Sequence, residues 1–237
     1  MLKHITYSSG NMDKAAALAS KSAMQYGADQ SVIYRPKDID KDYYEDYIHI
    51  LKQPRGAGYW LWKPYFIEQN LKDMKDGDML LYTDAGVEIV NDLRHLTNLK
   101  QDILLFRNMY IHEHWCKMDV MYRIAGWRSM PIKQVQASAM LFIAGEASLQ
   151  LVNKWHIWCT IRDMIDDTPS KMKNAPGFQE HRHDQAILTC LAHRYQVKTN
   201  WWPAHYNNGA FIYDDGINER PYPVIFHHHR KRDNEWQ

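Results

Sequence analysis

The 237-residue sequence has few cysteines, no long apolar run and almost no net charge, and each shortage excludes a class of protein. Cys116, Cys159 and Cys190 are odd in number, and their spacings fit no zinc or redox pattern. A disulfide scaffold is therefore excluded, and the three read as buried free thiols in a reducing compartment. No stretch approaches the roughly 18 apolar residues of a membrane span, and MLKHITYSSGN lacks an apolar signal core. A soluble, cytoplasmic protein without a transmembrane segment is expected. A formal net charge of +1 supplies no overall field toward nucleic acid, so no nucleic-acid partner is expected. No repeat, low-complexity segment or domain boundary interrupts the chain, which reads as one domain over 1–237.

Aromatic residues are plentiful. Nine Trp and fifteen Tyr exceed what a core of this size needs, leaving ring faces for a ligand that stacks, such as a sugar or a base. Apolar residues at 45% and charged residues at 24% are those of an ordinary folded domain.

The chain opens as strand, helix, strand. HITYS is a short strand ending in the polar turn Ser8-Ser9-Gly10; an alanine-rich helix runs from about Met12 to Tyr26 and stops at Gly27; SVIYR is the second strand. This β-α-β start is that of a nucleotide-binding sheet, with Tyr7 and Ser8 placed to hold a base or ribose. A second helix is expected from about Asp38 to Lys52, with Tyr44, Tyr47, Ile48 and Leu51 on one apolar face.

Residues 55–90 organise the rest. Arg55-Gly56-Ala57-Gly58 is a glycine loop that lets backbone approach a ligand, and Arg55 can present a planar fork to phosphate. Trp62-Lys63-Pro64 starts a helix, because proline suits the first helical position. Met79 to Tyr82 is a buried strand, and Thr83-Asp84-Ala85-Gly86 follows it. Asp76-Gly77-Asp78 has the Asp-x-Asp spelling of a metal–diphosphate motif, yet it precedes the strand, at the wrong edge of the sheet. Asp84 follows the strand, where open α/β sheets bind ligands, and is the preferred candidate.

Further on, His112-Glu113-His114 reads as a surface segment rather than a metal site, and Asp119 as the cap of a helix to about Ile124. Gln134 to Ile143 is a polar start followed by a strand, with Gln136 beside small residues that leave room for a ligand. Glu180-His181-Arg182-His183-Asp184-Gln185 is a polar cluster ahead of a helix, richer than a cap requires. Close to the last residues, Phe226-His227-His228-His229-Arg230-Lys231-Arg232 by itself reads as a solvated basic tail.

RGAGYWLWKPYFI, GDMLLYTDAG, PGFQEHRHDQAIL and FHHHRKR, in this order, resemble glycosyltransferases encoded by chlorella viruses and by bacterial surface-polysaccharide clusters. The resemblance covers about residues 5 to 232. It implies the GT-A fold, an α/β arrangement of a mixed central sheet flanked by helices. It implies a nucleotide-diphosphate sugar donor, UDP-linked, a glycan or glycoprotein acceptor, and Mn2+ or Mg2+ as cofactor. For a viral member the compartment is the host cytoplasm. Asp84 stands where the family places its acidic metal or ribose contact. Gly86 replaces the second carboxylate, and His227 or His229 of the terminal cluster is the expected further metal ligand. Glu180 and Asp184 fall in the segment that faces donor-sugar hydroxyls.

Hexosyl or deoxyhexosyl transfer places charge on the departing diphosphate, and Arg55, Lys63 and Arg230 are the candidates to stabilise it. An inverting enzyme needs a carboxylate base, Glu180 or Asp184. A retaining enzyme can use the departing phosphate as base, with a neutral group such as Gln136 beneath the sugar. The residues leave both open and lean toward retention. Gly86 also keeps open a catalytically inactive nucleotide- or glycan-binding module, and the β-α-β start a nucleotidyltransferase.

Overall fold

The computed structural model describes residues 1–126, 129–206 and 222–236, without the side chains of His205 and Tyr206. Strand β1 (Leu2–Tyr7), helix α1 (Asp13–Gln25) and strand β2 (Gln30–Tyr34) form the expected unit, with β1 and β2 parallel. Helix α2 (Trp62–Asp73) leads into β3 (Met79–Thr83), which lies parallel to β1 on its other side. Four more strands follow: β4 (Val87–Ile89), β5 (Ile103–Ile111), β6 (Lys133–Val135) and β7 (Ala139–Ile143). After them come β8 (Thr199–Trp201), β9 (Ala204–Tyr206) and β10 (Phe226–His228).

The central sheet is mixed. Its order is β2-β1-β3-β7-β5-β6, and β8 also pairs with β5. Strand β7 runs antiparallel to β3 and to β5, so the parallel part of the sheet at this side ends at β3. Helices α3 (Met118–Ala125), α4 (Glu146–Cys159) and α5 (His183–Arg194) pack on one face with α2. Leu80, Tyr82, Met140 and Phe142 of the sheet meet Phe66, Ile67, Val152, Trp155, Ile187 and Leu191 there, all in one buried cluster. Alternation does the sorting: Leu81 and Leu141 point to the opposite face and pack with Leu93, Phe106, Trp202 and Phe226. Fully buried His4 sits between Ser31 Oγ (2.8 Å) and Thr83 Oγ1 (2.9 Å), and burial lowers its pKa to about 3, so it is a neutral core group.

A small second sheet, β4-β10-β9, carries the end of the chain back to β4. Phe226 pairs with Ile89, and His228 with Val87. The terminal segment is thus folded, not a solvated tail. Asp233 receives the backbone N–H groups of Asp13 (3.1 Å) and Lys14 (2.8 Å), capping α1, whose own N-cap Met12 makes no side-chain bond.

Several local expectations are corrected. The single helix from 38 to 52 is two short ones, Lys41–Asp46 and Ile48–Leu51, broken at Tyr47, and Ile48 is exposed. Leu93, Leu96 and Leu99 have helical spacing that suggests a helix from Asn91 to Lys100, but the helix is confined to Arg94–Thr97. Asp119 does not cap its own helix; its carboxylate accepts the N–H groups of Lys171 and Met172. His112 is fully buried rather than on the surface. Among the described residues, no helix is long and apolar enough to cross a membrane.

Candidate active site

Position along β3 separates the two acidic candidates. Asp76 and Asp78 precede the strand, and Asp78 pairs with the N-terminal ammonium at 2.9 Å. Asp84 follows it, its N–H donating to Ser138 O at 2.8 Å, so the sheet itself fixes the loop.

Lys63, one residue into α2, reaches this edge from beneath. Its ammonium is buried, 3.2 Å from Asp84 Oδ1 and 3.1 Å from Asp184 Oδ2, and it donates to Ala137 O at 3.0 Å. Tyr82 O–H donates to the same Asp84 oxygen at 2.5 Å. Burial opposes the charge on Lys63, but Asp184 and Asp84 outweigh it and raise its pKa, so it stays protonated. Burial also raises the pKa of Asp184, to about 6, with Asp84 adding repulsion and Lys63 offsetting part of the rise. At neutral pH the trio holds one cation between two carboxylates. Asp184 Oδ2 lies within ion-pair distance of Lys63 but has no aligned hydrogen-bond donor.

The first turn of α5 positions Asp184. Trp155 Nε1 donates to its carbonyl at 2.9 Å, and Gln185 Oε1 accepts the Ala137 N–H at 3.0 Å. Lys63 and Gln185 therefore hold the Ala137 peptide from both ends. His183, the residue before, has φ +46°, a strained value for a residue with a side chain. Its ring packs against Tyr59 and Trp60, with centroids 5.1 and 5.2 Å away.

That pair belongs to a second strained segment. Gly56, Ala57, Gly58, Tyr59 and Trp60 have φ of +60, +49, +100, +51 and +62°, five left-handed residues in succession. The glycine loop is explained by packing inside the chain rather than by a ligand. A Cβ on Gly58 would lie 2.7 Å from Leu51 Cα.

The remaining candidates fall into place around the trio. Arg55 is committed to Glu180 (2.8 Å) and Asp167 (3.2 Å), so its fork is not presented to a phosphate. Partial burial would raise the pKa of Glu180, but Arg55 and Arg182 lower it, which makes it a poor base. Gln136 is enclosed: its Oε1 accepts from Asn108 at 3.1 Å and its Nε2 donates to Ser138 at 2.7 Å. Tyr7 stacks on Trp62 at 3.8 Å and is buried. Ser8 is buried too, and its hydroxyl donates to Asp13 at 2.7 Å, supporting the start of α1.

Gly86 has a steric reason. A Cβ there would lie 3.1 Å from Arg230 Cα, and Arg230 N–H donates to Gly86 O at 3.2 Å. The terminal segment crosses directly over this residue, and a side chain here would push the Arg230 backbone aside by a few tenths of an ångström.

The histidines divide by strand alternation. His227 Nδ1 lies 3.3 Å from Glu88, and His229 feels the charges of Glu88 and His227. His229 Nδ1 accepts the Lys231 N–H at 3.0 Å, which leaves its proton on Nε2. His228, on the other face of β10, feels the charge of Asp84, and burial holds its pKa near 3, leaving the imidazole neutral. Asp84, His227 and His229 form no cluster of ligand atoms among the described residues. Of His228 and His229, only His228 responds to the charge of Asp84. A neutral imidazole and one carboxylate fit a Mn2+- or Mg2+-type ion that keeps waters and substrate phosphates as its other ligands.

No family model and no curated protein matches the sequence. Solved structures do match the fold. Mouse xyloside xylosyltransferase 1, apo form, aligns with a TM-score of 0.50 at 8% identity over 97% of both chains. The galactosyltransferase LgtC, in complex with donor and acceptor sugar analogues, aligns with a TM-score of 0.55 at 12% identity, over 97% of this chain and 87% of that one. A glycosyltransferase involved in glycosylation of the major capsid of PBCV-1 aligns over 96% of this chain and 91% of that one, at 9% identity and a TM-score of 0.48. The chain has the GT-A glycosyltransferase fold.

Proposed function

We propose that the protein is a glycosyltransferase moving a sugar from a nucleotide-diphosphate donor, UDP-linked, to a glycan or glycoprotein acceptor. The observation that supports it is the Asp84–Lys63–Asp184 trio at the C-terminal edge of β3 in a GT-A fold, the edge where such sheets bind nucleotides. Asp184, Lys63 and Asp84 bind and orient the donor sugar through its hydroxyls. Carboxylate oxygens accept from those hydroxyls, and the ammonium keeps both carboxylates charged. Asp84 and His228 would hold Mn2+ or Mg2+, which supplies positive charge against the departing diphosphate. Arg230, exposed above Gly86, adds charge on the same side.

Retention of configuration is the favoured course. Glu180 is tied to Arg55 and Arg182, and Asp184 is pinned beneath Lys63, so neither is placed as a base for an incoming hydroxyl. The departing phosphate then takes the acceptor proton. Gln136 orders Asn108 and Ser138 below the site rather than touching the sugar.

The test is UDP release from a panel of UDP-sugars with Mn2+, with and without glycan acceptors. Release that falls about 10²-fold or more in Asp184→Asn supports the proposal. Tight UDP binding without release from any donor favours the inactive binding module. Pyrophosphate formed from a nucleoside triphosphate would identify a nucleotidyltransferase instead.

A further inference from the structure

Two residues of the short segment between β5 and α3 meet a third, far along the chain, in the core beside α5. His112 follows β5, Cys116 precedes α3, and Cys190 lies in the middle of α5. All three are fully buried, and one ligand atom from each lies within 4.8 Å of the others. Cys116 Sγ and Cys190 Sγ are 4.0 Å apart, and His112 Nε2 is 3.3 Å from Cys190 Sγ. Around a tetrahedral Zn2+, bond lengths of about 2.3 Å to sulfur and about 2.0 Å to nitrogen put two sulfurs about 3.8 Å apart and a sulfur and a nitrogen about 3.6 Å apart. The two edges seen here differ from those values by only a few tenths of an ångström.

An apolar core has no use for this trio. His112 Nδ1 is buried with no hydrogen-bond partner among the described residues, and thiols are weak hydrogen-bonding groups. A deprotonated thiol, the thiolate, is the form that binds metal.

We propose that His112, Cys116 and Cys190 form a structural site for a thiophilic d10 cation, Zn2+. Binding releases the two thiol protons to solvent and forms two S–Zn bonds and one N–Zn bond, with no change of oxidation state. A neutral imidazole, two thiolates and Zn2+ sum to zero charge. Cu+ in the same ligands leaves an uncompensated negative charge in a fully buried place, which the desolvation cost disfavours. The fourth position falls to a small ligand such as water. Burial of all three residues means that the ion enters as the chain folds. The site ties α5, which carries Asp184 in its first turn, to the segment between β5 and α3.

The experiment is elemental analysis of the full chain expressed in zinc-supplemented medium and, separately, refolded with Zn2+ or with Cu+ under reducing conditions. About one zinc per chain is expected in the wild type and in Cys159→Ser, whose buried thiol lies outside the cluster. Cys116→Ser and His112→Gln are expected to lose most of it. Because those variants could simply unfold, refolding the wild type with Co2+ provides a second reading. Thiolate-to-Co2+ charge-transfer absorption is expected. Three results would overturn the proposal: folded wild-type protein with zinc below about a tenth per chain and no charge-transfer band; zinc retained in a folded Cys116→Ser/Cys190→Ser variant; or stoichiometric copper in preference to zinc.

Discussion

Lys63 Nζ lies 3.1 Å from Asp184 and 3.2 Å from Asp84 while almost wholly shielded from water, so one buried ammonium balances two carboxylates. Lys63→Met leaves that negative charge uncompensated and is expected to cost about 3–5 kcal/mol in urea unfolding. Lys63→Met/Asp184→Leu should recover much of the stability but none of the UDP release. Recovery of both would mean that the trio is only a packing device.

Gly86→Asp restores the spelling Asp-x-Asp, yet its Cβ meets the Arg230 backbone at 3.1 Å. We expect a loss of about 1–3 kcal/mol in thermal or denaturant unfolding and no gain in Mn2+ affinity by calorimetry. Tighter Mn2+ binding at unchanged stability would contradict the crossing of the terminal segment over this loop.

The proposed metal ligand is His228, on the opposite face of β10 from His227. UDP should raise the melting temperature more with Mn2+ than with EDTA. His228→Ala is expected to abolish that difference, and His227→Ala to preserve it. Truncation at residue 226 is a poorer test, because it removes β10 from its sheet. No effect of Mn2+ on the UDP-bound wild type would remove the cation from the mechanism.

Acid stability should report Glu68. Burial by itself raises its pKa, but His156, Lys72 and Asn153 reverse this and hold it near 2. A depressed folded pKa stabilises above the unfolded value of about 4.5, and that stabilisation is lost as pH falls from 4.5 toward 2. Its size is on the order of 3 kcal/mol. Unfolding free energy measured from pH 6 to pH 2.5 should fall less steeply in Glu68→Gln, from a lower starting value at pH 6.

Asp233→Ala removes the only side-chain cap found on α1 among the described residues and should cost about 0.5–2 kcal/mol, read by chemical denaturation.

Much of the scaffold was legible because it is local. Alanine spacing and Gly27 marked α1, Pro64 marked the start of α2, and the apolar run after Asp78 marked β3, which placed Asp84 at the ligand edge and Asp76 at the other. The Asp38–Lys52 helix failed because periodicity is blind to the break at Tyr47. That His228 lies on the opposite face of β10 from His227 was not legible, because three successive histidines look alike until a strand assigns them to faces. Its partner β4 lies far back in the chain. The Cys116–Cys190–His112 cluster was not legible, since Cys190 reaches the other two only when α5 packs beside the segment between β5 and α3.

By itself the sequence determined the β-α-β start, the turn at Gly77 and the edge of the sheet at which Asp84 stands, because these follow from side-chain periodicity and backbone preference over a few residues. Only the tertiary structure decided what surrounds Asp84. Lys63 arrives from α2, Asp184 from α5, and the terminal segment over Gly86 from β10. Those meetings depend on long-range strand pairing and on charges that become tightly coupled only when folding shields them from water.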